Sequence, residues 1–184
     1  MPSSKFLAKD VVKLLESNLR SPDRKPVKIL ELGPGTGIFT ASILNLLKPD
    51  DHLDVVEINS HFYDIIKKKY QADNLHIHHC DFLEFETVLK YDYIFSSIPY
   101  EQLQSAISKK IWKRKLNLCL DGSYITYYKY INFNRFRCKY EKELVSKYGR
   151  DEKVVFLNLP PAKLFTLKIN NRENEGSEEL HEVA

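Results

Sequence analysis

The sequence predicts an α/β fold built on a seven-stranded, mostly parallel, Rossmann-like sheet with helices on both faces and an antiparallel last strand. Three observations predict it. Short runs rich in β-branched and aromatic residues alternate with helical patterns almost without a break. A glycine-rich turn, Gly33-Pro34-Gly35-Thr36-Gly37, joins the first such run to the helix behind it. The last two runs, 153–159 and 163–169, flank Pro160-Pro161 as a closing pair.

Each element follows from local pattern. Residues 4–19 set Leu7, Val11, Leu14 and Leu15 on one helical face, with Ser3 or Ser4 as cap. Pro22 and Pro26 break the chain, and 27–32 is a short strand ending at the glycine turn. Residues 38–48 are helical up to Pro49; 53–58 is a strand and 60–70 a helix. Strands at 75–80 and 91–98 precede a long helix at 102–118. Asp121-Gly122 is a turn into the strand 123–130, and 136–148 is helical. No repeat or long linker divides the chain, so residues 1–170 are expected as one domain and 171–184 as an acidic, disordered tail.

Composition narrows the function classes. With 43% hydrophobic and 29% charged residues the chain fits a soluble domain, and it has no run near the ~18 apolar residues of a membrane span. Charged side chains interrupt the opening segment, so no secretory signal is expected and the localisation reads as cytoplasmic. Three cysteines, Cys80, Cys119 and Cys138, without C-x-x-C spacing argue against a disulfide framework and a zinc site. No metal is expected. His76, His78 and His79 look like ligands, but alternation places His79 opposite the other two, and no acid or cysteine completes a set. Residues 172–184 carry net −4, leaving +7 on the rest, a balance suited to an anionic partner such as nucleic acid or a phospholipid surface.

Four pieces fall at the carboxyl ends of successive predicted strands, where open α/β sheets bind ligands. The first is Glu31, Gly33, Gly35, Thr36 and Gly37. Its spacing is G-x-G-x-G, and Ile38 stands where a dinucleotide fingerprint would place its last glycine. Glu31 is ill suited to a pyrophosphate and well suited to a cationic amino group. The second is Glu57, followed by Ile58, at the offset from which a carboxylate accepts from ribose hydroxyls. In the third, Asp81 accepts from an adenine amine and Phe82 offers the ring a flat wall. The fourth is Ser96-Ser97-Ile98-Pro99-Tyr100, after the fourth strand.

From about Val27 to Tyr100 this arrangement resembles the class I methyltransferases that use S-adenosylmethionine (SAM) and release S-adenosylhomocysteine. The resemblance implies Glu31, Gly33, Gly35, Thr36, Gly37, Glu57, Ile58, Asp81, Phe82 and Ser96 at the cofactor. It implies Ser97, Pro99 and Tyr100 at the acceptor. Two acceptor classes compete. Pro2-Ser3-Ser4, residues 31–40, Ser97-Ile98-Pro99 and Asn158-Leu159-Pro160-Pro161-Ala162 together resemble bacterial phosphatidylethanolamine N-methyltransferases, which implies a phospholipid headgroup and peripheral contact with the inner membrane. Tyr100, Tyr124, Tyr127 and Tyr128 would then face the ammonium, and Lys129, Arg135 or Arg137 the phosphate. Tyr100, Tyr128 and Arg135 are the substrate contacts this implies. The family usually has glycine where Ile98 stands, and it commonly carries an amphipathic helix ahead of Pro-Ser-Ser. Helix 102–118, with Lys109, Lys110, Lys113, Arg114 and Lys115 beside Ile111 and Trp112, is either a lipid-surface helix or a plain sheet-covering one.

Alternatively, Ser97-Ile98-Pro99-Tyr100 resembles the Asn-Leu-Pro-Tyr motif of adenine N6-methyltransferases, the ribosomal RNA dimethylases among them. In those, the aromatic residue stacks on the flipped base. Here serine replaces the asparagine, and the helical C-terminal domain of those enzymes is not expected. A small-amine methyltransferase, or a SAM-binding protein without methylation, is the third reading.

Overall fold

The computed structural model describes residues 5–131, 139–158 and 160–170. The element order is α1 (Lys5–Asn18), β1 (Lys28–Leu32), α2 (Ile38–Leu44), β2 (His52–Glu57), α3 (Ser60–Lys69), β3 (Leu75–His79) and β4 (Tyr91–Ser96). A 3-10 turn (Tyr100–Gln102), α4 (Ser105–Leu118), β5 (Cys119–Tyr130), α5 (Lys139–Tyr148), β6 (Gly149–Val155) and β7 (Ala162–Lys168) complete it. The strands form one sheet in the order β3-β2-β1-β4-β5-β7-β6. The first five are parallel to their neighbours; β7 runs antiparallel to both β5 and β6.

Alternation on β1 explains why both faces need cover. Leu30 and Leu32 face a cluster built with Ile111, Trp112 and Leu118 of α4 and with Leu144 and Tyr148 of α5. Ile29 faces the opposite cluster, where Leu7, Val11 and Leu15 of α1 meet Phe39 and Ile43 of α2. All these side chains are buried, and each removes apolar surface worth about 25 cal/mol per Å2 from water.

Several boundaries depart from the sequence pattern, each for a local reason. α2 stops at Leu44 because the chain tightens, Leu46 donating to Ile43 and Leu47 to Leu44. The loop beyond is gathered by the buried Asp51, which accepts from Arg24 and from the Val27 and Lys48 amides. Asp121-Gly122 is not a turn but an irregularity inside β5, with Gly122 at φ 78° and the pairing to β4 shifted between Tyr91 and Tyr93. β6 begins four residues earlier than expected, directly on α5. A Cβ at Gly149 would stand 2.3 Å from the Val145 carbonyl oxygen, so only glycine lets the helix run straight into the strand. Its charged stretch, Gly149 to Lys153, is exposed at the sheet edge, where charge blocks pairing with another chain. The expected cap at Ser3 or Ser4, residues 136–138 of the expected last helix, and the acidic tail lie outside the described residues.

The histidines have a structural account. Asp54 is buried and accepts from His52 (2.7 Å), His78 (2.6 Å) and the Tyr91 hydroxyl (2.7 Å). His76 stacks on His52 and His79 on Tyr63. Burial works to raise the Asp54 carboxyl, but the bonds from His78, Tyr91 and His52 prevail and hold it below the usual aspartate value. Among the described residues no cluster of three or more His, Cys, Asp or Glu is arranged to hold a metal.

The lipid-surface reading of helix 102–118 is corrected here. Ile111 and Trp112 are buried against the sheet and Lys115 is fully buried, so the apolar stripe of α4 is spent on the core while Lys109, Lys110 and Lys113 face water. Among the described residues no helix is long and apolar enough to cross a membrane.

Asp54→Ala is expected to cost roughly 2–4 kcal/mol near neutral pH, because it strands three donors, two of them on partly exposed histidines. A carboxyl held low contributes stability that is lost as pH falls through its folded value. Urea melts of the two proteins will therefore converge below about pH 4.

Candidate functional site

A cavity of about 840 Å3 opens at the carboxyl ends of β1 to β5, a size within the ~300–1,000 Å3 of ligand pockets. Sheet order divides its wall. On one side lie the ends of β1, β2 and β3, with Gly33, Glu57 and Asp81; on the other lie the loop after β4, the start of α4 and the end of β5. The reversal of strand order between β1 and β4 leaves the gap that a ligand enters.

The glycine turn needs its glycines. Gly33, Gly35 and Gly37 have φ of 66°, 57° and 79°, all left-handed. Gly33 donates to the Val56 carbonyl at 2.9 Å, and Gly37 to the Pro34 carbonyl at 3.0 Å. A Cβ on Gly37 would meet the Tyr70 ring at 2.6 Å, and the Tyr70 hydroxyl donates to the Gly37 carbonyl at 2.7 Å. Tyr70, at the end of α3, thus locks the turn from behind; spacing offered no sign of it.

Glu57 is buried and lines the cavity. One of its oxygens accepts from the Gly35 amide (3.1 Å), the other from the Asn59 amide (2.9 Å). Each oxygen keeps a lone pair for a ligand hydroxyl. Asn59 also caps α3 by accepting from the Phe62 amide. Ile58 is exposed on the rim. Asp81 accepts from the Leu83 amide at 2.8 Å and borders the cavity with Phe82, whose ring also belongs to the α4-side core. Thr36 is in the wall; Gly37 stands behind it.

Glu31 does not reach the wall. It points between β1 and α2, is fully buried, and neither of its oxygens closes a hydrogen bond. Its polar neighbour is Thr40 of α2, which favours the charged carboxyl. Burial pushes the Glu31 carboxyl up to about 8, helped by the Glu57 charge and opposed by Thr40. An acid buried beneath a glycine turn is a polar demand that a cationic group in the cavity would meet through water. With the acid pair Glu57 and Asp81 above it, the set of acceptors fits the amine, ribose and adenine of SAM.

The segment after β4 divides unexpectedly. Ser97, Ile98 and Pro99 line the cavity; Ser96 and Tyr100 do not. Ser96 Oγ and the Tyr100 hydroxyl share a 2.8 Å hydrogen bond that clamps the loop from its two ends. Both side chains are buried. Lys115 Nζ donates to the Tyr100 hydroxyl at 2.7 Å and lies 3.0 Å over the Trp112 ring, on which Tyr100 stacks. Burial lowers the Lys115 amine well below its ordinary value, against the pull of the buried Glu141 carboxylate. Glu141 in turn pairs with Lys129 at 2.7 Å. The expectation that Tyr100 faces the acceptor is thereby corrected: its ring and hydroxyl are both committed to the α4 face.

Tyr128 lines the cavity, joined by Tyr130, which the pattern did not single out although the two share strand parity. Tyr127 is buried against Phe165, and Tyr124 stacks on Tyr93. Lys129 is paired away, and Arg135 and Arg137 lie outside the described residues. Among the described lining residues the only charges are the two acids, so none offers a countercharge to a headgroup phosphate. Phe62, Gln102 and Leu103 also enter the wall; nothing in their spacing marked them.

Sheet order and the placement of the cavity are those of the class I methyltransferase fold. Residues 3–132 match the model of the ribosomal RNA adenine dimethylase family. The chain belongs to that family. It is 35% identical over 101 residues to the ribosomal RNA small subunit methyltransferase A of Mycoplasma capricolum, covering 51% of this chain and 35% of that one. It is 30% identical over 100 residues to the probable counterpart in Methanopyrus kandleri, covering 54% and 33%. The match therefore spans about a third of each relative's length. In fold it is similar to magnesium protoporphyrin IX methyltransferase from Synechocystis PCC 6803, a structure with bound SAM. The TM-score is 0.67 at 10% identity, covering 89% of this chain and 78% of that one.

Glu31→Gln is expected to flatten the pH dependence of stability. Between the usual carboxylate range and pH 8 the folded chain holds a proton that the unfolded chain has released, so stability falls as pH rises through that window. In ligand-free thermal melts the variant will gain on wild type towards pH 8, by about 2–4 °C for each kcal/mol relieved, and match it near pH 4.5.

Proposed function

We propose that the chain transfers methyl groups from SAM to the exocyclic amine of adenine in ribosomal RNA. The observation that carries this is that the family match, residues 3–132, spans the glycine turn, both acids and the segment 96–100. In this reading the 33–37 turn carries the methionine part, with Glu31 buried beneath the turn. Glu57 receives the ribose hydroxyls, and Asp81 with Phe82 holds the adenine. The bound sulfonium supplies an electrophilic methyl carbon. The acceptor nitrogen would take that methyl as the carbon–sulfur bond breaks, and the methylated nitrogen would give up its proton to solvent as the product leaves the pocket. The chain's own task is alignment in a dry pocket: Ser97 offers the acceptor amine a hydroxyl oxygen, Ile98 and Pro99 exclude water, and the Ser96–Tyr100 clamp holds all three in place.

A phospholipid headgroup is the weaker reading, because the described wall lacks a cation and α4 has no apolar face left for a bilayer.

Two measurements test this. Glu57→Ala will weaken SAM binding at least about ten-fold by calorimetry, losing hydrogen bonds to a charged acceptor together with the brace on Gly35. Incubation with labelled SAM and either unmodified small-subunit ribosomal RNA or phosphatidylethanolamine vesicles will label the RNA alone. Label confined to lipid overturns the proposal.

A further inference from the structure

Within that reading, the acceptor ring needs a flat surface, and the tyrosine of the 97–100 segment is not available to provide it. Tyr100 is 3% exposed, stacked on Trp112 at 5.3 Å between centroids, edge-on to Tyr127 at 5.9 Å, and hydrogen-bonded through its hydroxyl to Ser96 and Lys115. Turning it into the cavity would break both bonds, open a hole beside Trp112 and leave the Lys115 nitrogen without its hydroxyl partner. The wall has another aromatic surface. Tyr128 and Tyr130 project from the same face of β5, half-buried, with centroids 5.5 Å apart and planes at 77°. Tyr128 is braced edge-on by Phe39 of α2, at 5.7 Å and 83°. Both line the cavity on the β4 and β5 side, away from Glu57 and Asp81 and on the same side as Ser97.

We propose that Tyr128 and Tyr130 form the stacking platform for the acceptor base, taking the place that the position of Tyr100 in the motif would suggest. This rests on the adenine reading above. A purine slid against the two rings would meet one face-on and the other along its edge, an arrangement aromatic pairs favour, while its exocyclic amine points to Ser97. The platform stands on the part of β5 that runs past the end of β4, where Tyr128 pairs with Leu164 and Tyr130 with Ala162 of β7, so one side of the strand is held and the other opens to the cavity. Tyr100 serves the same site indirectly, as a positioning residue that ties the acceptor loop to α4.

The test uses the full chain saturated with S-adenosylhomocysteine and titrated with adenosine, in parallel with RNA methylation assays. Tyr128→Leu and Tyr130→Leu are expected to bind S-adenosylhomocysteine within about two-fold of wild type. Each should lose about ten-fold or more in adenosine affinity and in kcat/KM for RNA; Tyr128→Phe and Tyr130→Phe, which keep the ring, should retain most of both. Leucine variants that equal wild type in both assays overturn the platform and leave the RNA reading standing. Tyrosine-dependent adenosine binding by a wild type that puts no label into RNA overturns the RNA reading and leaves the platform standing. Should the leucine variants fail to fold, 2-aminopurine riboside added to the wild type decides: saturable quenching supports stacking, and its absence overturns it.

Discussion

Everything in the site depends on a backbone reversal that L-residues with side chains resist. The chain leaves β1 and enters α2 within five residues, three of them left-handed glycines. Such a turn exposes amide groups and lets a ligand lie close to the main chain, but it has few contacts of its own. Its rigidity is borrowed. Glu57 of β2 ties the Gly35 amide, and Tyr70 at the end of α3 fills the space behind Gly37 and bonds its carbonyl. One carboxylate thus holds the turn and faces the cavity, which couples the cavity wall to loop order.

The acceptor side uses the opposite arrangement. There the loop is short and its two ends are pinned from below, by hydroxyls bonded to each other and to a lysine enclosed in aromatic rings. A buried amine is costly unless it is partnered, and Trp112, Tyr100 and Tyr127 are its immediate surroundings, with Glu141 contributing attraction. The polar cluster under 97–99 therefore specifies one conformation of the loop, and it does so by taking Tyr100 away from the ligand. The same packing commits Ile111 and Trp112 to the core, so α4 closes the sheet and has no apolar stripe left for a lipid surface.

Most of the cofactor half was legible in the chain because its signals are local. Glycines at fixed spacing, an acid closing the next strand and another closing the strand after that all depend only on period and offset. The structure brings Gly33, Gly35, Thr36, Glu57, Asp81 and Phe82 to one wall, and leaves Glu31 beneath it and Ser96 beside it. The acceptor half was legible only in part. Ser97 and Pro99 are in the wall, whereas Tyr100 is not, because the direction of a side chain leaving a 3-10 turn is set by what packs against it. Lys115 illustrates the same gap: among four other basic residues on α4 it reads as one more solvated charge, and it is fully buried.

The sequence by itself determined the alternation of strands and helices, the glycine turn and the acids that follow it, since periodicity, steric freedom and spacing are properties of neighbouring residues. Only the tertiary structure decided which tyrosines line the cavity, where the basic helix spends its apolar face, and that a run of charges after α5 is an edge strand. Those outcomes turn on competition between distant groups for the same buried space. Tyr100 and Trp112 lie 12 residues apart with Lys115 just beyond, yet it is β5 and α5, laid over them by the closing of the sheet, that make their packing final.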